Sequence, residues 1–401
     1  MEKGNEIKTI VPALRFSEFI TGKHWYISKI KDIYQITRGQ VLAVSLVKEI
    51  KDDIYIYPVY SSQTKNGGLV GYYKDYLYEN AITWTTDGAN AGDVNYRDGK
   101  FYCTNVCGVL LNQKGFSNKC MAEIINSVTR NYVSYVGNPK LMNGVMGDII
   151  ISVPPTIEEQ QKIADCLSSL DELIEVTAQK VDALKEHKKG LMQRLFPAEG
   201  KNMPDLRFPE FQGMNGWEKK QVKDFGEVIT GNTPSKKEEK YWNGDFVWIT
   251  AQDFKGKYIN DSILKLTKFG KDKARVIPKD SVLVTCIASI GLNAINKVEC
   301  STNQQINAIC CNQEYNYEYM YYLVTHNTKN LKQLAGQTAV PIITKKSFEE
   351  FEVYAIANYD EQQKIADCLS SLDELIEATS RKVEILKKHK KGLMQQLFPI
   401  I

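Results

Sequence analysis

The sequence predicts an α+β protein with a pseudo-two-fold internal repeat, in which two long antiparallel coiled-coil helices separate two globular domains. Three observations lead to this fold class. The chain has 401 residues, more than one hydrophobic core usually serves. Two segments of heptad-patterned sequence are almost identical. The regions before them differ from each other, and both contain short apolar runs between Gly and Asn turns, which is typical of strands.

The composition is that of an ordinary globular protein, with 43% hydrophobic and 25% charged residues. No apolar run approaches the roughly 18 to 20 residues that span a bilayer, and the N-terminus lacks the apolar stretch of a signal peptide. We therefore expect a cytoplasmic location and no membrane partner. The net charge of +3 is lower than that of a typical nonspecific polyanion binder.

The internal repeat has a long and a short part. Residues 159–197 and 361–399 are identical at 32 of 39 positions. The shorter repeat reads VPALRFSEF at residues 11–19 and MPDLRFPEF at residues 203–211, and a tryptophan follows each copy at the same distance, Trp25 and Trp217. This order predicts a first globular domain at 1–155, a first helix at 156–197, a second globular domain at 198–358 and a second helix at 359–401.

Both long repeats carry signals for the start and the end of a helix. Thr156 with Glu159 predicts a capping box, and Asp360 with Gln363 resembles one in the second copy. Each repeat ends at Phe-Pro, where proline blocks continuation. Between these ends, apolar residues alternate spacings of four and three, interrupted only by Thr177 and Lys188 and by their counterparts Thr379 and Lys390. The predicted seam is Ile163, Leu167, Leu170, Ile174, Val181, Leu184, Leu191 and Leu195 in the first helix and Ile365, Leu369, Leu372, Ile376, Val383, Leu386, Leu393 and Leu397 in the second.

The charges of each helix favour an antiparallel pair. The first half of the first helix is acidic, with Asp165, Asp171, Glu172 and Glu175, and the last half is basic, with Lys185, Lys188, Lys189 and Arg194. Antiparallel pairing sets acid against base at both ends. A helix of 39 residues is about 58 Å long, more than one turn of B-DNA. Such a pair can act as a ruler between two separated sites.

Successive segments of both domains resemble target-recognition domains of type I restriction-modification specificity subunits. In the second domain these segments are TGNTPSKKEEKYWNGDFVWIT (230–250), IPKDSVLVTCIASIGLNAI (277–295), STNQQINAI (301–309) and AGQTAVPIITKKSFEEFEV (335–353). In the first domain they are YPVYSSQTKNGGLVGYY (57–73), TWTTDGANAGDVNYRDGKFYCTNVCGVLL (83–111) and GNPKLMNGVMGDIIISVPP (137–155), which resemble another class of the same domain. The resemblance covers nearly the whole chain.

The resemblance implies a noncatalytic subunit that reads a bipartite sequence in double-stranded DNA. It further implies that two methyltransferase subunits bind the chain and that restriction/translocase subunits join through them. S-adenosylmethionine, ATP and Mg²⁺ are then expected on the partner subunits, with no cofactor in this chain.

The residues that would read DNA lie in loops rich in Ser, Thr, Asn and Gln beside Gly and Lys. Neutral side chains of this kind can bond base edges, and Lys can contact phosphate. In the first domain the candidates are Ser61, Ser62, Thr64, Lys65, Asn66, Asp87, Asn90, Asn105 and Lys140. In the second domain they are Thr233, Ser235, Lys236, Gln252, Asp253, Ser289, Asn303, Gln304, Gln337, Thr338 and Lys345.

We find no catalytic or metal-binding pattern in the sequence. There is no G-x-x-x-x-G-K-[ST] loop, and the four histidines and nine cysteines lack the spacing of a metal site. Two alternatives stay open at this point. One is a self-sufficient DNA methyltransferase or nuclease, and the other is a coiled-coil scaffold that binds protein.

Overall fold

The computed structural model describes residues 8–62, 66–335 and 340–399. The chain divides into two compact units. The first unit contains Met1–Thr177 and Lys382–Ile401, and the second contains Ala178–Arg381. Each 39-residue helix therefore begins in one unit and ends in the other, so each unit contains half of either helix. The heptad pattern and the short apolar runs predicted mixed helix and strand content, which the structure confirms.

In its described residues, the first unit contains two sheets, three helices of its own and half of each long helix. Its helices are α1 (Ile30–Ile33), α2 (Lys119–Thr129), α3 (Asn143–Asp148) and the start of α4 (Ile157–Leu195). Its strands are β1 (Thr9–Ile10), β2 (Trp25–Lys29), β3 (Gln35–Arg38), β4 (Tyr57–Tyr60), β5 (Leu69–Tyr73), β6 (Tyr78–Thr85), β7 (Val94–Cys103), β8 (Cys107–Leu111) and β9 (Ile150–Val153).

The larger sheet of the first unit has the order β3-β8-β6-β7-β4-β5, and the smaller has the order β1-β2-β9. All pairs are antiparallel except β4 with β7. Helix α2 packs on β7 and β9 because its buried face carries Met121, Ile124 and Ile125. The core includes the fully buried side chains of Trp25 and Trp84.

The second unit has its own set of elements. Its helices are α5 (Lys268–Lys271), α6 (Tyr317–His326), α7 (Thr328–Leu334), α8 (Lys345–Glu349) and the start of α9 (Tyr359–Leu397). Its strands are β10 (Glu218–Gln221), β11 (Gly226–Thr230), β12 (Trp242–Ile249), β13 (Tyr258–Ile259), β14 (Leu264–Leu266), β15 (Val282–Thr285), β16 (Asn293–Asn296), β17 (Ser301–Thr302), β18 (Ile306–Cys311) and β19 (Glu352–Ala355).

The strands of the second unit form three sheets, with the orders β11-β18-β15-β16-β13, β14-β12-β17 and β10-β19. The end of α4 and the residue after it are part of this core, because Leu195 is buried there and the buried ring of Phe196 stacks on Tyr319 and meets Trp217 edge-on. His326 also stacks on Phe196, and burial lowers the pKa of its imidazole.

The two long helices begin in equivalent ways, and this differs in one respect from the sequence prediction. The amide of Glu159 donates to the Thr156 hydroxyl at 3.2 Å, which is one of the two bonds of the predicted capping box. The Glu159 carboxylate does not make the second bond of the box but accepts from Arg15 and Trp25. In the second copy the cap is Asn358, whose side chain accepts from the amide of Glu361 at 2.9 Å. The predicted Asp360–Gln363 cap is wrong, because the helix already begins at Tyr359 and Asp360 lies in its first turn.

The seam residues lie on the buried face of their helices within each unit. Every predicted seam position of α4 and α9 is buried or half-buried. In the first unit, the start of α4 runs antiparallel to the end of α9, since Ile163 and Leu167 share a core cluster with Leu397 and Asp171 pairs with Lys390 at 2.8 Å. In the second unit the equivalent pair is Lys188 with Asp373, at 2.5 Å.

The two seam lysines thus bind carboxylates rather than interrupting the packing. Burial alone raises the pKa of Asp171, but hydrogen bonds from Lys390 and Lys119 lower it on balance. Asp373 also accepts a hydrogen bond from the Tyr322 hydroxyl of α6, at 2.6 Å. Each globular body therefore contacts the lysine–aspartate pair of its own unit, through Lys119 of α2 in the first unit and Tyr322 of α6 in the second.

The short LRF repeat fixes the start of each long helix to its body. The Arg15 guanidinium donates two hydrogen bonds of 2.7 Å to the Glu159 carboxylate, and the Trp25 indole donates a third at 2.9 Å. In the second unit, Arg207 donates two bonds of 2.8 Å to Glu361. The repeated Arg and Glu thus form one buried ion-pair site in each unit. Trp25 bonds to that site in the first unit, whereas the buried Trp217 indole N–H has no hydrogen-bond partner among the described residues.

The glutamine after each of these glutamates also ties the helix to the body. Gln160 accepts from Asn118, the residue that caps α2, at 2.6 Å. Gln362 accepts from the backbone amide of Asn316, which caps α6, at 2.8 Å. Identical Glu-Gln pairs therefore hold two unlike bodies in the same manner.

Candidate nucleic-acid interface

Three turns of the first body meet at one place because their backbones are bonded to one another. The amide of Thr86 donates to Val106 O at 3.0 Å, and the amide of Leu141 donates to Thr86 O at 2.9 Å. Beyond this point Gly88, with φ of +97°, donates to Pro139 O at 3.0 Å. The turns that carry Asp87, Asn90, Asn105 and Lys140 are thereby brought together.

The second body has the same backbone bonds although its sequence is different. The amide of Cys286 donates to Gln305 O at 2.7 Å, and the amide of Ile343 donates to Cys286 O at 2.8 Å. Ala288, with φ of +62°, takes the place of the glycine and donates to Pro341 O at 3.0 Å. The two units therefore present corresponding turns with different side chains.

Several predicted residues of the first body are neighbours. The Asn90 amide donates to Ser62 O at 3.4 Å, and the Thr104 hydroxyl donates to Ser61 Oγ at 2.9 Å. Lys140 lies 3.8 Å from the Asp87 carboxylate. Asn105 is exposed at the tip of the turn between β7 and β8. Outside the described part of the chain lie Thr64, Lys65 and the side chain of Asn66.

Arg97 lies next to this group, and the sequence pattern did not indicate it as a candidate. Its guanidinium lies 3.7 Å from the centre of the Tyr60 ring and donates to Thr83 Oγ1 at 3.0 Å and to Gly67 O at 2.7 Å. Burial lowers the pKa of Arg97, but a guanidinium stays charged at neutral pH. It lines a concave site of about 120 Å³ together with Ser61 and Asn90. A single Arg within a strand gave no sequence signal.

The predicted residues of the second body form a less continuous group. The Thr233 hydroxyl donates to Gln304 Oε1 at 2.6 Å. The backbone amide of Asn303 donates to the carbonyl of Ile249 at 3.1 Å, and Ile249 is close to Gln252 in the sequence. Exposed side chains include those of Ser235, Lys236, Gln252, Ser289 and Gln304. Lys345 pairs with Glu349 within α8 at 3.4 Å, and no described contact joins it to the others. Gln337 and Thr338 fall outside the described residues.

Asp253 has a different role from the one predicted. Its side chain is 9% exposed. One carboxylate oxygen accepts from the amide and the hydroxyl of Thr250, at 2.7 and 2.9 Å, and the other accepts from the amide of Ile263 at 2.9 Å. Asp253 is the last residue of the short 3-10 helix Ala251–Asp253 and forms a capping box with the N-cap residue Thr250, so both of its oxygens are occupied by the protein itself.

A basic residue near Thr233 was also missed. Arg275 is exposed, and its guanidinium donates to Thr230 O at 2.9 Å. The Asn232 side chain holds it in place by accepting from the backbone amide of Arg275 at 2.7 Å. A cation beside exposed hydroxyl and amide groups is the combination that contacts phosphate and base edges. The separation of about 40 residues along the chain hid this neighbour.

Comparisons with known proteins identify the family to which the chain is similar. Residues 22–186 and 214–388 match the family model of the type I restriction modification DNA specificity domain. The MjaIX specificity subunit of Methanocaldococcus jannaschii is 37% identical over 179 residues, which is 43% of this chain and 41% of that protein. A type I specificity subunit of Mycoplasma pneumoniae is 29% identical over 382 residues, or 92% of this chain and 96% of that protein.

Solved structures show the same fold. The type I restriction-modification S subunit from M. genitalium has a TM-score of 0.66 at 16% identity, covering 98% of this chain and 100% of that one. A chain from a structural study of type I complex assembly has a TM-score of 0.58 at 14% identity, covering 93% and 96%. In the described residues, no helix is both long and apolar enough to cross a membrane.

Proposed function

The chain belongs to the type I restriction-modification DNA specificity family, and from this premise we propose that it is a noncatalytic subunit that reads a bipartite DNA target. Each body reads one half of an asymmetric, interrupted sequence. The subunit thereby directs the methyltransferase and restriction subunits, which carry the chemistry, to that sequence.

One observation carries this proposal: the two bodies hold corresponding turns with the same backbone bonds but present different side chains. Thr86 and Cys286 make equivalent backbone hydrogen bonds to the two neighbouring turns of their own bodies. The exposed residues at the tips of the corresponding turns differ, Asn105 in the first body and Gln304 in the second. A shared scaffold with unlike tips is what two different half-sites require. Exposed amides suit base edges, and Arg275 and Lys140 suit phosphates.

The near-identity of the helices supports two equivalent partner sites, one for each methyltransferase subunit. Leu173 in the first unit and Leu375 in the second are each 43% exposed, and they occupy the same position of the repeat. Restriction/translocase subunits would join through the methyltransferases. S-adenosylmethionine, ATP and Mg²⁺ belong to those partners in this proposal.

The helix length supports a fixed gap between the two half-sites. Each of α4 and α9 has 39 residues, about 58 Å at about 1.5 Å per residue. The spacer of the DNA target is then set by the length of the helix pair.

The test is to change one turn tip at a time in a host that also expresses the cognate methyltransferase. Asn105→Ala is expected to relax the sequence requirement in one half-site, and Gln304→Ala is expected to relax it in the other. The loss of one base contact corresponds to about 1 to 3 kcal/mol of discrimination. Methylation sequencing measures both, and relaxation of the same half-site by both variants would contradict the proposal.

A second experiment separates this function from that of an enzyme. The purified chain is incubated with DNA and either S-adenosylmethionine or Mg²⁺, and neither methylation nor cleavage is expected. Turnover without partner subunits would show that the chain is itself a methyltransferase or nuclease.

A further inference from the structure

Residues 40–46 of the first body, which we name the valine loop, expose more apolar surface than a solvated loop needs. Val41 is 78% exposed, Val44 is 88% exposed and Leu46 is 47% exposed. Single exposed apolar side chains are common, but several in one loop mark a surface that binds something. None of these residues belongs to the polar groups that the sequence indicated.

The valine loop begins against the turn that carries Asn105. The amide of Gly39 donates to Cys107 O at 3.0 Å, and the amide of Gln40 donates to Cys103 O at 3.1 Å. A Cβ atom on Gly39 would lie 2.2 Å from Cys103 O and 2.3 Å from Thr104 O, so only glycine fits. The start of the valine loop therefore packs directly against the turn between β7 and β8, which carries the candidate residue Asn105.

The second body has a loop in the equivalent place. The amide of Gly231 donates to Ile306 O at 3.1 Å, and a Cβ atom on Gly231 would lie 2.3 Å from Thr302 O and 2.4 Å from Asn303 O. Gly231 is therefore the counterpart of Gly39. The loop that follows it contains Thr233, which bonds to Gln304 and already belongs to the proposed DNA-reading group.

We propose that the valine loop reads DNA bases in the first half-site by apolar contact, with Val41 and Val44 against thymine methyl groups. This inference rests on the proposed function, and it assigns to the first body the loop that the polar pattern could not detect. The thymine methyl is the apolar group of the major groove, and small aliphatic side chains contact it. Gln40, also exposed at the start of the loop, can pair with an adjacent adenine.

The first experiment is a double variant, Val41→Ser with Val44→Ser, in a host that carries the complete system. Methylation sequencing is expected to show an approximately tenfold loss of preference at one or more positions of the half-site that Asn105→Ala also alters. The other half-site should be unchanged. Ile20→Ser is the matched control, because Ile20 is 61% exposed in the same unit but lies outside both the valine loop and the turns that carry the candidate DNA-reading residues.

The second experiment uses a duplex with the methylated sequence in which deoxyuridine replaces thymine in the first half-site. We expect the unaltered complex to methylate this duplex at least threefold more slowly, and the serine variant to be insensitive to the replacement. Equal rates for the unaltered complex, or a first half-site without thymine, would overturn the inference. So would a variant that fails to bind the methyltransferase subunit, because the loop would then contact protein.

Failure of the proposed function has a different result. In that case the unaltered chain directs no bipartite methylation at all, and the comparison of half-sites never arises. A bipartite pattern that the serine variant leaves intact overturns only the assignment of the valine loop.

Discussion

Replacing Glu159 with alanine is expected to destabilise the first unit by about 3 to 5 kcal/mol, the usual result of removing one partner from a buried ion pair. The side chains of Arg15 and Glu159 are 6% and 1% exposed. Without the carboxylate, the Arg15 guanidinium and the Trp25 indole lose three hydrogen bonds in a place where water does not replace them. The attachment of α4 to the first body should loosen most.

The second unit supplies a matched variant, Glu361→Ala. Its effect should be smaller by about 1 kcal/mol, the net value of one hydrogen bond, because Glu361 accepts from Arg207 but no bond from Trp217 is described. Among the described residues, Arg207 also keeps two backbone bonds, to Met214 O and Asn215 O at 3.1 and 2.9 Å, whereas Arg15 keeps one, to Lys23 O at 2.8 Å. The control is Glu18→Ala, which removes a solvated pair with Lys162 and should lower the stability much less than either of these variants.

Native-state hydrogen exchange can measure each unit by itself. In Glu159→Ala, the amides of β2 and β9 should exchange faster by the factor that corresponds to the lost free energy, while those of β10 and β19 should change little. A loss below about 1 kcal/mol in β2 and β9 would mean that Glu159 does not hold the helix to the body.

Lengthening both long helices by one heptad is expected to lengthen the spacer of the DNA target and leave both half-sites unchanged. Seven residues are inserted after Thr177 and after Thr379, which are equivalent positions of the repeat. A heptad keeps the apolar seam in phase and adds about 10 Å, which corresponds to up to about three base pairs.

The control for this variant is the same insertion in α4 alone. A single insertion moves Lys188 by about 10 Å relative to Asp171 of the same helix. The pair of Lys188 with Asp373 and the pair of Asp171 with Lys390 can then not both be kept. Assembly with the methyltransferase should then fail or become heterogeneous. Methylation sequencing reads the spacer directly, and an unchanged spacer in the double insertion would show that helix length does not set the gap.

The sequence predicted the long helices well because their information is local and repeated. The heptad seam places Ile163 and Ile365 inside. The acidic and basic halves predict acid set against base, and the structure has such pairs in Asp171 with Lys390 and Asp373 with Lys188, although by the apolar pattern the two lysines only interrupt the seam. The LRF repeat was visible, but its purpose was not. Arg15 and Glu159 are 144 residues apart, and only the fold brings them together.

The reading surface was harder to predict because polar loop residues have several uses. Asp253 lies in a polar segment like the other candidates, yet it is buried and its carboxylate is bonded to Thr250 and Ile263. Arg97 lies alone within a strand, and the valine loop is apolar, so neither matches a search for Ser, Asn and Lys clusters. The second cap was misplaced by two residues because Asn358 and Asp360 are both good helix starters.

The central claim, that each body reads one half of a split target, is tested most directly by single-molecule methylation sequencing of a host that carries this chain and its cognate methyltransferase. We expect one asymmetric bipartite motif with a gap of constant length, and we expect it to disappear when the chain is deleted. A continuous motif, or methylation that persists without the chain, would contradict the claim.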